Sequence, residues 1–175
     1  MKKYIVISFT ALAIMTFLEP LPAIHFTGAD AMAQTETKDH DFPVQKSEDQ
    51  WKKELTKEEF RVLRMEGTEP PHSSPLNDEK RSGVFVCAAC GHELYPSSTK
   101  FESGSGWPSF YKPIREDAIG TRTDYKLIWP RTEVHCANCG GHLGHVFEDG
   151  PEPTGLRHCI NGVALDFEPK QNAGQ

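Results

Sequence analysis

Two short segments, Cys87-Ala-Ala-Cys90-Gly91 and Cys136-Ala-Asn-Cys139-Gly140, restrict this 175-residue chain more than anything else in it. They match as C-A-x-C-G-x-x-L, with Leu94 and Leu143 closing each copy at the same offset. A Cys-x-x-Cys turn followed by glycine points two sulfurs and several backbone amides at one point, and two such knuckles supply the four ligands of a tetrahedral zinc ion. A pair of disulfides or a redox-active CxxC are the alternatives open to the same residues. If Cys87, Cys90, Cys136 and Cys139 share one zinc per chain, sulfur fills every position and the ion is structural.

The segments around the knuckles are β-type. "GVFVC", "TEVHC", "LRHCI" and "VALDF" are rich in β-branched and apolar residues, and glycine, proline and Asp149-Gly150 punctuate the gaps, so the core is expected to be antiparallel β. One helix is expected before them. Thr56 and Glu59 form a capping box, Leu55 and Phe60 sit at the staple positions, and Gly67 offers a stop after about three turns.

The N-terminus reads differently. Lys2 and Lys3 precede an apolar run from Tyr4 to Leu18, and "AMAQ" at 31–34 offers small residues at a cleavage site, so residues 1–33 are expected to be a secretory signal. An uncleaved anchor is the alternative, and the only reason to expect membrane attachment. Residues 34–50 are polar and expected to be a flexible leader, with the folded domain at 51–170 and a short tail at 171–175. The expected location is the bacterial periplasm or the exterior. Net charge is −6 at pH 7 with no basic patch, which argues against a nucleic-acid partner.

The fifth cysteine, Cys159, lies outside the knuckles in "GLRHCINGVAL". In a strand, Arg157, Cys159 and Asn161 share one face while His158 and Ile160 share the other, with Val163, Leu165 and Phe167 continuing the first parity toward the core. A guanidinium beside the sulfur favours thiolate and lowers its pKa. A buried cysteine acting as a small hydrophobe is the plainer reading of the residue type. His142 and His145 stand three apart after the second knuckle, and Trp107 sits between a glycine-rich turn and a proline, where its indole can wall a pocket.

Taken together, "KFESGSGWPSF", "RTEVHCANCGGHLGHVFEDGP" and "TGLRHCINGVALDF" resemble the peptide methionine-(R)-S-oxide reductases, over about Trp51 to Pro169. The resemblance implies two antiparallel sheets leaning together as a tent, zinc clamping the knuckles, and short N-terminal helices. It implies that Cys159 attacks the sulfoxide sulfur and becomes a sulfenic acid. His142 and His145 would bind the oxygen and help protonate it, Arg157 would favour the thiolate, and Asn161 would hold the loop and substrate side. Trp107, with Phe110 beside it, would receive the substrate methyl. The implied substrates are oxidised proteins or peptides, the reductant a thioredoxin-like partner or a small thiol, and the enzyme a monomer. Two positions depart from the family pattern. His158 stands where tyrosine or phenylalanine is common, and Ser105 where many members carry a second, resolving cysteine. A zinc-ribbon interaction module with a structural Cys159 is the competing class.

Overall fold

Chain order begins with two capped helical segments laid on a knuckle. The computed structural model describes residues 42–171. The expected signal at 1–33, residues 34–41 of the leader and all but the first residue of the tail lie outside the described residues. Packing contacts are already present before residue 51. Val44 donates its amide to the Asn138 carbonyl at 2.9 Å, and the Phe42 ring packs edge-on to His135. Helix α1 spans Glu48–Glu54, with Ser47 and Gln50 forming its capping box. The helix escapes sequence reading because its seven residues bury one side chain, Trp51, and so carry no apolar period.

Helix α2, Lys57–Leu63, starts at Thr56 with both capping-box hydrogen bonds in place. It is shorter than expected. Glu66, not Gly67, takes the left-handed turn at φ 53°, and Gly67 is needed because a Cβ there would lie 2.8 Å from the Arg61 carbonyl oxygen.

Among the described residues nine strands follow: β1 Gly83–Cys87, β2 Glu93–Pro96, β3 Lys100–Phe101, β4 Ser109–Phe110, β5 Ile119–Asp124, β6 Arg131–Cys136, β7 His142–Phe147, β8 Arg157–Ile160 and β9 Leu165–Pro169. They form two antiparallel sheets, one ordered β2-β1-β9 and the other β3-β4-β8-β7-β6-β5. The antiparallel β core expected from the sequence is present.

Aromatic side chains join the sheets. Tyr95 of β2 stacks on Phe110 of β4 at 4.4 Å between centroids, and Phe85 of β1 meets the same ring edge-on at 5.0 Å. All three are fully buried, and each such ring contributes roughly 1.5–3 kcal/mol of transfer free energy. Val62 and Leu63 of α2 bury against this core with Leu143 and Ala164.

One expected continuation does not occur. The strand through Cys159 ends at Ile160, and the chain passes through Asn161 and a short 3₁₀ turn, Gly162–Ala164, into β9 of the other sheet. Val163 and Leu165 therefore do not extend the face of Cys159. The change of sheet breaks the period of two.

Candidate active site

Strand register places the chemistry-bearing residues in one cross-strand row. Ser109 lies opposite Cys159, Cys159 opposite His145, His145 opposite Glu133, and Glu133 opposite Arg122. Directly opposed residues of antiparallel strands share a face, so four strands deliver a thiol, an imidazole, a carboxylate and a guanidinium to one surface. Close approach of β7 and β8 requires Gly144, where a Cβ would sit 2.0 Å from the Cys159 carbonyl oxygen.

His142 and His145, three apart, would point to opposite faces in a regular strand. A bulge opposite Val134/His135 leaves Leu143 unpaired and turns both histidines the same way, with ring centroids 5.5 Å apart. Each imidazole meets a carboxylate. His142 Nδ1 is 2.7 Å from Glu133 Oε1, and His145 Nε2 is 2.8 Å from Asp124 Oδ2.

Burial raises the Glu133 carboxyl, but hydrogen bonds from His142 and Arg122 outweigh it and hold the group at about 2. Asp124 is held well below the usual carboxylate range by the Lys126 amide, together with His145 and Arg131. Ionised carboxylates only accept, so the facing nitrogens, Nδ1 of His142 and Nε2 of His145, carry the protons. Burial pushes the His145 imidazole below its ordinary value despite Asp124, so at neutral pH it is uncharged with Nδ1 free of a proton.

Cys159 is half-buried at the mouth of a cavity of about 120 Å³ lined by Thr68, Trp107, Arg131, Gly144, His145, Phe147, Cys159 and Asn161. Arg157 shares the face of Cys159 as expected and its charge favours the thiolate. The expected net lowering of the thiol pKa is not found, because burial raises it by more than the Ser105 hydroxyl and Arg157 lower it. The guanidinium itself is held by Asp149 through two hydrogen bonds of 2.8 Å and lies over the Phe147 ring.

Trp107 walls the cavity, its Nε1–H donating to the Glu69 carbonyl at 3.1 Å. Asn161 spends its side chain on backbone: Oδ1 accepts from the Glu69 amide at 2.9 Å and Nδ2 donates to the Leu143 carbonyl at 2.9 Å. It therefore holds loop and strand together. Phe110 requires a correction. Its ring lies on the core face of β4, stacked on Tyr95 and fully buried, so it cannot touch a substrate. His142 sits behind His145 and does not line the cavity, though its buried Nε2 has no hydrogen-bond partner among the described residues. His158 lies on the face opposite Cys159 as expected, and that face is the core side, with the ring 3.2 Å from the Tyr95 hydroxyl.

Sequence reading missed Asp124, Glu133, Arg131 and Glu69. Arg122/Asp124 and Arg131/Glu133 alternate charge with period two, a signal that one face of two adjacent strands is polar. Arg131 lines the cavity, donates to Asp124 at 2.6 Å, and keeps its buried Nε without a partner among the described residues. Glu69 gave no local signal. Its carboxylate accepts from the Gly162 and Val163 amides at 2.5 and 3.0 Å, which ties the Trp107 wall to the turn after Asn161.

The remaining four cysteines, Cys87, Cys90, Cys136 and Cys139, form a cluster able to hold a metal ion, with all sulfurs within 4.8 Å of one another. None is in a disulfide.

A half-buried thiol beside an imidazole-carboxylate pair, on a scaffold stitched by a four-sulfur cluster, defines a thiol-based oxidoreductase site. The chain belongs to the SelR domain family, whose model matches residues 55–169. It is 54% identical over 132 residues to peptide methionine sulfoxide reductase MsrB of Methanosarcina barkeri, covering 75% of this chain and 93% of that protein. It is also 53% identical over 131 residues to the MsrB of Leifsonia xyli, covering 74% and 94%. To the MsrB of Leptospira interrogans it is 52% identical over 127 residues, covering 73% and 97%.

Proposed function

We propose that this protein reduces methionine-(R)-S-oxide in polypeptides to methionine, with Cys159 as nucleophile. The observation that carries this reading is the placing of Cys159, His145, Arg131 and Trp107 around one cavity the size of a side chain. His145 Nδ1 takes the thiol proton, and the Cys159 thiolate attacks the sulfoxide sulfur. As the methionine sulfur gains two electrons, the proton returns to the sulfoxide oxygen. That oxygen passes to Cys159, leaving methionine and Cys159–SOH. Asp124 keeps the imidazole in the required tautomer, Arg131 Nε donates to the oxygen as charge develops there, and Trp107 receives the methyl. His142 and Glu133 buttress His145 from behind, and Asn161 fixes the Cys159 strand end. An external thiol then displaces water from the sulfenic acid, and a second thiol releases Cys159 as a disulfide of the reductant forms. A thioredoxin-like partner or a small thiol suits this role.

Zinc is the metal that suits the four-sulfur cluster. The Cys87–Cys139 and Cys90–Cys136 sulfur separations are 3.8 and 3.7 Å. The edge of a sulfur tetrahedron around zinc, with bonds of about 2.3 Å, is ~3.8 Å. With each knuckle giving two ligands, the ion would supply cross-linking and no catalysis. Aromatic packing between the sheets supports reading them as the two leaning flaps of a tent. Export to the periplasm or exterior and a monomeric state complete the proposal, the first resting on the apolar N-terminal run.

The test is turnover of resolved epimers. Only the R sulfoxide should be reduced, and alkylation of Cys159 should abolish the reaction. Equal rates for both epimers, or activity that survives alkylation, would remove the reading.

A further inference from the structure

The hairpin between β5 and β6 carries an apolar tip that no other described residue covers. Residues 125–130 read Tyr-Lys-Leu-Ile-Trp-Pro. Tyr125, Leu127, Ile128 (93% exposed) and Trp129 (78% exposed) are four of the five large apolar side chains left exposed among the described residues. Scattered single residues of this kind are ordinary, whereas a contiguous set marks a binding surface.

The tip is rooted in the reaction site. Asp124 and Arg131 flank it and pair with each other at 2.6 Å, and Asp124 Oδ1 accepts the Lys126 amide at 2.8 Å to fix the first turn. The same carboxylate holds His145 at 2.8 Å, and Arg131 lines the cavity. Ile128 is three residues from Arg131, so its Cα lies within about 11 Å of the arginine's. The cavity, about 120 Å³, equals the volume of about four waters. That is room of about the size of a methionine sulfoxide side chain, so the polypeptide carrying that side chain is placed over the rim. At about 3.3 Å per residue, positions two to four away from the oxidised methionine reach the tip.

We propose that Tyr125, Leu127, Ile128 and Trp129 form a docking surface for apolar residues flanking the oxidised methionine. The partner is a stretch of unfolded protein chain, in which such residues are exposed together. This rests on the reductase reading above and adds its substrate preference. A folded protein presents polar flanks and gains little from the tip, while an unfolded one gains affinity before chemistry begins.

The full chain and its Ile128→Ser/Trp129→Ser variant would be compared on three substrates. These are a blocked single methionine-(R)-sulfoxide, a peptide carrying it between glycine and serine, and a peptide carrying it between leucine and phenylalanine. The expected result is a loss of at least tenfold in kcat/KM on the apolar-flanked peptide, mostly in KM, with less than twofold change on the blocked amino acid. Equal losses on all three, or no loss on any, would overturn the proposal. So would an unchanged peptide preference accompanied by loss of self-association in sedimentation, or of binding to anionic lipid vesicles, since the tip would then serve a second copy or a membrane. Failure of the unmodified chain to reduce even the blocked amino acid would instead defeat the reductase reading.

Discussion

Ser105 Oγ lies 3.7 Å from Cys159 Sγ, at the near end of a chain of three serine hydroxyls. Ser103 Oγ is 2.8 Å from Ser105 Oγ and 2.7 Å from Ser109 Oγ, and Ser109 donates to the Trp107 carbonyl at 3.1 Å. With Cys159 as thiol, four protons serve four links, each pointing away from sulfur. With Cys159 as thiolate, three protons remain, and the hydroxyls must turn toward sulfur.

Removing the first hydroxyl should therefore disfavour the thiolate. A hydrogen bond of about 0.5–1.5 kcal/mol corresponds to roughly half to one pKa unit. Ser105→Ala should move the midpoint of Cys159 alkylation by iodoacetamide upward by about that much, and Ser105→Thr should restore it. An unmoved midpoint in Ser105→Ala would mean that the hydroxyl only packs against the sulfur.

The same proximity bears on recycling. With four cysteines committed to the cluster, the unmodified chain has no thiol to condense with the Cys159 sulfenic acid. One turnover without reductant should release one methionine per chain and leave a dimedone-reactive Cys159. In Ser105→Cys the introduced thiol should capture the intermediate, giving an internal disulfide and no dimedone adduct by mass spectrometry. A native disulfide formed with loss of metal would show instead that a cluster cysteine resolves the intermediate.

Metal loss should cost the fold. The cysteines paired across the cluster, Cys90 with Cys136 and Cys87 with Cys139, are 46 and 52 residues apart in sequence, so binding is coupled to folding and should contribute on the order of 10 kcal/mol. Cys87→Ser or Cys139→Ser should yield little soluble protein. A metal-free preparation that keeps native near-UV dichroism would contradict this.

Arg131 should act on the rate more than on stability. Its loss removes a donor aimed at developing charge on oxygen, so Arg131→Met should reduce kcat by about 10²-fold. Arg131→Lys keeps the Asp124 ion pair but not the Nε–H, and should recover stability without recovering rate. Full activity in either variant would relocate the oxygen site.

Burial lowers His158 to about 4, so it is neutral in the folded protein while the unfolded chain titrates near 6.5. The folded pKa is the depressed one. Its contribution to stability is complete above pH 6.5 and is lost as pH falls toward 4, by at most about 3 kcal/mol. Urea denaturation across pH 4–7 should show this slope in the unmodified chain. In His158→Phe/Tyr95→Phe, which also removes the hydroxyl that His158 faces, the slope should flatten. An unchanged slope would assign the acid limb to other groups.

The duplicated knuckles, the Thr56 capping box and the β-type runs ending at Cys87, Cys136 and Ile160 are local patterns, and the structure contains each of them. Capping is decided within four residues and a Cys-x-x-Cys turn within five, so neighbouring chain suffices to specify them. The sequence also separates Cys159 from the other four cysteines by spacing alone. Tertiary structure decided the rest. The bulge at Leu143 turned His142 and His145 to one face against the period of two. Pairing of β5 with β6 and β7 brought Asp124, Arg131 and Glu133 to the histidines. The change of sheet at Asn161 ended the face that Cys159 shares with Arg157. The family resemblance places Phe110 with Trp107 at the substrate, yet β4 turns its ring into the core against Tyr95. A strand specifies which residues alternate. Which face is wet is set by the surface it packs on, and that surface comes from residues far away in the chain.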